Sequence, residues 1–280
     1  MKKYLVIPVA LLALASCNKE EAVMPAANEI ILSVGGEAFS ASVETKATAI
    51  GSLPTSINVM RTTGSAGSET VKNASASMSI SAGAIATGWV QTATPTTYNY
   101  HLSNVAMSVT SGNPTIAASN ATDVIAGSAS SSALTPAVAL DHIFARTGTL
   151  LAKAPAGYTI SGVTWEIASN AGAGVSGTYN MNTKAWSGTS ALAKQAFTSS
   201  SDLYLVPGSY KIYLTYTLTK GDWTKSTTKS ADVTLVGGKV NNLKIGSDGT
   251  VPLIDGGASD ISVTVTLNPW GSTDISVPLS

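Results

Sequence analysis

Two histidines, His101 and His142, one cysteine, Cys17, and sixteen acidic residues are the groups with which this 280-residue chain could do chemistry near neutral pH. Two imidazoles and a carboxylate could in principle hold a metal. However, His142 runs in phase with Val138, Leu140 and Phe144 on a strand-like stretch, which is the setting of a hydrogen-bonded structural histidine. His101 follows Tyr98-Asn99-Tyr100 and is expected at an edge or in a loop. There is no Ser in a Gly-x-Ser-x-Gly elbow, no His-Glu-x-x-His and no glycine-rich phosphate loop opening a helix. Glycosidase chemistry needs two carboxylates facing each other across a cleft, and the acids here are scattered without a privileged pair. The expectation is a protein that is not an enzyme, with no catalytic residue, no metal and no cofactor.

A single cysteine cannot form a disulfide within the chain, and its position gives it another use. Lys2 and Lys3 supply a positive start, and Tyr4 to Leu14 form an apolar run shorter than the roughly 20 residues needed to span a bilayer. Leu14-Ala15-Ser16-Cys17 then resembles the lipobox cut just before the cysteine by lipoprotein signal peptidase. The resemblance implies a signal peptide over 1–16, lipidation of Cys17 and a palmitoylated, outer-membrane lipoprotein of a Gram-negative envelope. Three acyl chains, at about 0.8 kcal/mol per buried methylene, would make that anchor durable. Asn18-Lys19-Glu20-Glu21 looks like the surface-export signal of Bacteroidetes lipoproteins, and 17–27 reads as a lipidated tether.

The elements that must carry any function are strands. Hydrophobic residues make up 44% of the chain and charged residues only 11%, against about 25% in ordinary domains, so the surface must be dressed in Thr, Ser, Asn and Gly. Basic and acidic residues cancel at sixteen each and form no basic stripe, which excludes nucleic acid as a partner. Tyr210, Ile212, Leu214, Tyr216 and Leu218 alternate with Lys and Thr, as a half-buried strand requires, and Leu203 to Val206, broken by Pro207-Gly208, is expected to be its hairpin partner. Similar alternation marks Val163 to Ile167, Val233 to Leu235, Val240 to Ile245 and Ile261 to Leu267. Shorter runs are at Glu29 to Val34, Ser56 to Met60, Val71 to Ile80, Thr97 to Leu102 and Val105 to Thr110. No window of a dozen residues carries a helical period. The fold class expected is all-β, two β-sandwich domains in tandem. Gly127 to Ala133 has the composition of a linker, so the domains are expected over 28–134 and 135–280.

Several segments resemble fimbrillin-like lipoprotein pilins of the type V fimbriae of Bacteroidetes. They are Val43-Glu44-Thr45-Lys46-Ala47, Ala121-Thr122-Asp123-Val124-Ile125-Ala126-Gly127-Ser128, Leu140-Asp141-His142-Ile143-Phe144-Ala145-Arg146, Pro207-Gly208-Ser209-Tyr210 and Asn268-Pro269-Trp270. The resemblance implies transthyretin-like, Greek-key sandwiches and a subunit of a cell-surface fimbrium or a fimbria-associated adhesin. Its partners would be copies of itself or paralogous subunits, with a host or bacterial surface receptor or glycan beyond them. It also implies proteolytic removal of the N-terminal strand and donor-strand exchange, in which a strand of the next subunit fills the vacated groove. Candidate cleavage residues are Lys46, nearer the strand that must leave, and Arg61. The candidate donor is the tail bearing Ile275, Val277 and Leu279 on one face; the same alternation suits a last strand packing within its own domain. The alternative function is a glycan-binding surface lipoprotein that stays monomeric, with Trp89, Trp186 and Trp223 as a stacking platform.

Overall fold

The computed structural model describes residues 28–35, 54–201, 203–254 and 263–269. Among these, twenty strands form five sheets and there is no helix. The all-β expectation holds, and most of the strands named from alternation are present.

Three stacked sheets are built from the first half of the chain together with three later strands, Asp141–His142, Ser176–Asn180 and Ala185–Ser190. One has the order β4 (Ala84–Val90), β1 (Glu29–Gly35), β9 (Ala137–Ala139). The second runs β10 (Asp141–His142), β8 (Ile125–Ser131), β5 (Tyr98–Ser103), β2 (Ser56–Thr63), β3 (Thr70–Ser79). The third runs β14 (Ala185–Ser190), β13 (Ser176–Asn180), β7 (Asn113–Ser119), β6 (Met107–Thr110). The five-stranded sheet is the middle layer, because adjacent residues on its strands enter different cores. Val59 and Ile125 join Leu32 and Tyr100 on one side, while Met60 and Ala126 join Ile116 and Phe144 on the other. A sheet buried on both faces loses the clean polar alternation that betrays a strand in sequence.

The remaining sheets form a second sandwich. One is ordered β16 (Tyr204–Leu205), β11 (Ala145–Leu151), β19 (Lys239–Ile245), β20 (Val263–Pro269); the other is β15 (Gln195–Phe197), β12 (Thr159–Ser169), β17 (Gly208–Lys220), β18 (Trp223–Leu235). Their common core holds Trp165, Ile167, Ile212, Leu214, Leu243 and Ile245. The five alternating residues from Tyr210 to Leu218 are all fully buried, as their period demands.

Four expectations differ from the structure. Gly127 to Ser131 is not a linker but the body of β8, paired along its length with β5. At Gly127 the neighbour is close: a Cβ there would lie 1.8 Å from the carbonyl oxygen of Ala139. Hydrogen bonds also cross the division expected at 134/135, since β9 and β10 pair with β1 and β8, and β13 pairs with β7. Leu203 to Val206 is not the hairpin partner of β17, which lies between β12 and β18; β16 pairs with β11 instead. Val163 departs from the phase of Trp165 and Ile167 and is 37% exposed, because the register slips between Ser161 and Thr164, where Gly162 takes φ of +59°.

Tyr210 joins the second sandwich to the segment before β13. Its hydroxyl lies 2.7 Å from the Val206 carbonyl and 2.9 Å from that of Gly174, and it accepts from the Gly174 N–H at 3.0 Å. Burial holds its ionisation well above the usual phenol range, so it remains a donor. Tyr210→Phe keeps the ring but orphans a buried N–H, and urea denaturation of this variant is expected to show a loss of about 1–3 kcal/mol.

Candidate strand-exchange groove

The alternation in Glu-Ile-Ile-Leu-Ser-Val-Gly puts Ile30, Leu32 and Val34 on one face of β1 at 0%, 0% and 7% exposure. They enter a core with Ile57, Val59, Ile85, Leu102, Val138 and Leu140. Burial of three such side chains contributes roughly 5–9 kcal/mol, an upper figure because the unfolded chain already hides part of this surface.

β1 is the central strand of its sheet, antiparallel to β4 and parallel to β9. On the β9 side, the Ile31 and Ser33 amides donate to Leu134 and Pro136 at 2.8 and 2.9 Å, and Leu140 N–H donates to Gly35 at 2.7 Å. On the β4 side, Val34 N–H donates to Gly83 at 2.9 Å, and Gln91 N–H donates to Asn28 at 3.0 Å. Thr87 adds a hydroxyl bond to the Ile30 carbonyl at 2.6 Å. The two flanking strands lie far along the chain from β1, so a strand leaving this slot would uncover an apolar floor and two rows of backbone groups. Such a slot has the form that β-augmentation uses, in which main-chain bonds give affinity and alternate side chains give register.

Among the residues singled out from the sequence, Cys17, Lys46, Ile275, Val277 and Leu279 lie outside the described residues. Arg61 is in β2, between Tyr100 of β5 and Asn73 of β3. Its Nε donates to Asn73 Oδ1 at 2.7 Å, and its guanidinium lies 4.3 Å from the Tyr98 ring centre and 4.9 Å from that of Trp89. At 7% exposure in a doubly paired strand it is not the accessible segment that proteolytic nicking needs, which removes it as a cleavage candidate in the folded chain.

His142 is buried, with Nδ1 2.8 Å from an Asp123 carboxylate oxygen. This contact joins Ala121–Ser128 to Leu140–Arg146, two of the segments that carry the family resemblance. His101 is neither edge nor loop: it sits in β5 at 1% exposure. Its Nε2 is 2.9 Å from Glu69 Oε2 and 3.0 Å from the Thr62 hydroxyl, and its Nδ1 is 2.8 Å from the Ser128 hydroxyl. Thr62 also donates to Glu69, and Asn182 donates to Glu69 Oε1 at 2.9 Å across 113 residues of sequence. Burial acts to raise the Glu69 carboxyl, but the bonds from Thr62 and Asn182 and the nearby imidazole hold it below the usual range. Burial lowers His101 against the pull of Glu69. No local pattern marks Glu69, a lone acid at the end of a Gly/Ser loop.

Trp89, Trp186 and Trp223 do not form one platform. Each packs at the margin of a different core, and Trp223 meets Tyr158 edge to face at 5.8 Å. Among the described residues no group of three or more His, Cys, Asp or Glu could hold a metal, and no helix is long and apolar enough to cross a membrane.

These features define an all-β, sandwich-built protein whose first described strand is inserted between two much later ones. No family model and no curated protein match the chain. It is similar in fold to a solved structure described as a candidate cell adhesion protein of Bacteroides ovatus, at 15% identity over 88% of this chain and 99% of that one, with a TM-score of 0.50. A second such structure, from Parabacteroides distasonis, is 10% identical over 88% of this chain and 100% of that one, also with a TM-score of 0.50.

Proposed function

We propose that the protein is a non-catalytic subunit of a cell-surface fimbrium, or a fimbria-associated adhesin, anchored in the outer membrane through a lipid on Cys17 and polymerised by strand exchange. The observation that carries this reading is the placement of β1, a short apolar strand near the start of the chain, as the central strand between β4 and β9. A likeness of fold to candidate cell adhesion proteins supports the adhesive role. In this reading a trypsin-like protease cuts at Lys46, β1 leaves, and the next subunit's Ile275, Val277 and Leu279 take the places of Ile30, Leu32 and Val34. Both triads have the same period of two, so one set of pockets serves either.

Limited trypsin treatment of protein lacking residues before Asn18 tests this. Intact mass is expected to show one early cut at Lys46 and none at Arg61. Loss of the fragment bearing β1 and growth of high-mass species on size exclusion should follow. A chain that is cut but keeps β1 and stays monomeric rules out polymerisation by this route.

A further inference from the structure

A cleft of about 930 Å³ opens between the β8–β10 edge of the middle sheet and the β13–β14 hairpin, with Gly237 and Gly238 at one end. We propose that this cleft binds a neutral oligosaccharide through Trp186, Tyr179, Asp141 and Lys184. The proposal rests on the adhesive part of the proposed function, which it deepens by naming a ligand class, and it does not depend on strand exchange.

A sugar-binding site requires a fixed aromatic plate, hydroxyl-matching polar groups beside it, and room for a ring to approach the backbone. Trp186 is only partly buried and lines the cleft; it is wedged against Phe144, at 4.9 Å between ring centres, and Tyr179, at 5.3 Å. A plate held on two sides loses little freedom when a ligand stacks on it. Beside it, Lys184 Nζ lies 3.9 Å from Asp141 Oδ2, and both side chains are more than half exposed. Their opposite charges offset each other, and Lys239 also lines the cleft, so the site offers acceptors and donors for the hydroxyls of a sugar ring. Burial, together with the charge of Asp141, pushes the Tyr179 phenol up to about 12, so it remains a neutral hydroxyl donor beside that carboxylate. At Gly172, where a Cβ would meet nothing within 4 Å, the wall is open and a ring can approach the backbone.

The hairpin turn adds an independent sign. Lys184 takes φ of +56°, a left-handed conformation unfavourable for a residue with a long side chain, and such strain concentrates at functional sites. The turn is fixed by Asn180, whose side-chain oxygen accepts from the amides of Asn182 and Thr183 at 2.9 and 3.1 Å. Asn182 is in turn tied to Glu69. The chain thus holds Lys184 in a costly conformation, close to Asp141 at the mouth of the cleft.

Saturation-transfer NMR on the uncleaved full chain tests the proposal, with cellotriose, laminaritriose, mannotriose and triacetylchitotriose as neutral probes and sialyllactose as an anionic one. Transfer to ring protons of at least one neutral probe is expected. Asp141→Asn and Lys184→Ala, both at exposed side chains, should weaken its binding at least about fivefold, and Trp223→Phe should leave it unchanged. Trp186→Phe, which keeps an aromatic packed on Phe144, should give an intermediate loss. No transfer to any neutral probe, transfer to sialyllactose alone, or binding indifferent to Asp141→Asn and Lys184→Ala would overturn it. Because the readout uses unpolymerised protein, a negative result leaves strand exchange standing, and failed polymerisation leaves the cleft untouched.

Discussion

Deleting residues 28–35 is expected to abolish cooperative folding of the isolated chain, and a peptide carrying the sequence of residues 273–280 is expected to restore it. The roughly 5–9 kcal/mol associated with burying Ile30, Leu32 and Val34 is comparable to the about 5–15 kcal/mol by which a typical domain is stable at all. The deletion also strips hydrogen bonds from both flanking strands, leaving the Leu134 and Pro136 carbonyls and the Leu140 amide over an open groove. A milder variant, Leu32→Ala, should cost about 2–5 kcal/mol, since Leu32 is fully buried between two sheets and the cavity has little freedom to collapse. Urea denaturation followed by circular dichroism reads both effects, and titration with the peptide reads the rescue. The rescue is the discriminating part. A deletion variant destabilised but indifferent to the peptide would leave β1 an ordinary core strand and remove the tail as its substitute. A deletion variant as stable as the intact chain would show that the slot is not needed for folding.

How much of this was legible from the sequence depended on which face of each strand met water. β17 declares itself because one face is all core and the other is Lys, Thr and Tyr, and β1 is legible for the same reason. The strands of the middle layer are harder, because both faces are buried. In β2 the run from Val59 to Thr62 is buried residue after residue, so Arg61 looks from its type like a loop cation when it is clasped between aromatic rings. β8 was hidden by its smallness: its Gly and Ser residues imitate a linker, whereas at Gly127 it is the close approach of Ala139 that excludes a larger residue. β18 carries only two buried residues, Val233 and Leu235, at one end of thirteen, with Trp223 and Ala231 partly buried and most of its other side chains exposed on a sheet edge. The cleft depends on the pairing of β13 with β7, a contact between hairpins from distant parts of the chain that no local pattern encodes.

That pairing is secured by a charge, and removing the charge is the second large effect expected. Glu69→Ala should cost about 1–3 kcal/mol, the penalty for leaving buried polar groups unsatisfied, because the neutral His101 imidazole and the Thr62 hydroxyl lose their partner inside the fold and Asn182 loses its anchor. Asn182 sits in the turn of the β13–β14 hairpin, so the variant should also loosen the wall of the cleft, read as faster hydrogen exchange in residues 176–190. The pH dependence follows from the same contacts. His101 is held below its ordinary value of 6.5, so as pH falls through that value the unfolded chain takes up a proton that the folded chain still refuses. The unfolded state then binds more protons, and stability must fall with falling pH. Glu69 is likewise held below its ordinary value of 4.5, so a second loss begins below that point and continues until the folded carboxyl itself is protonated. Urea midpoints should therefore be highest above about pH 7 and fall in two stages on acidification, and His101→Gln should flatten the first stage while leaving the second. A profile flat from about pH 7 to about pH 5 in the unaltered chain would mean that His101 carries no such penalty.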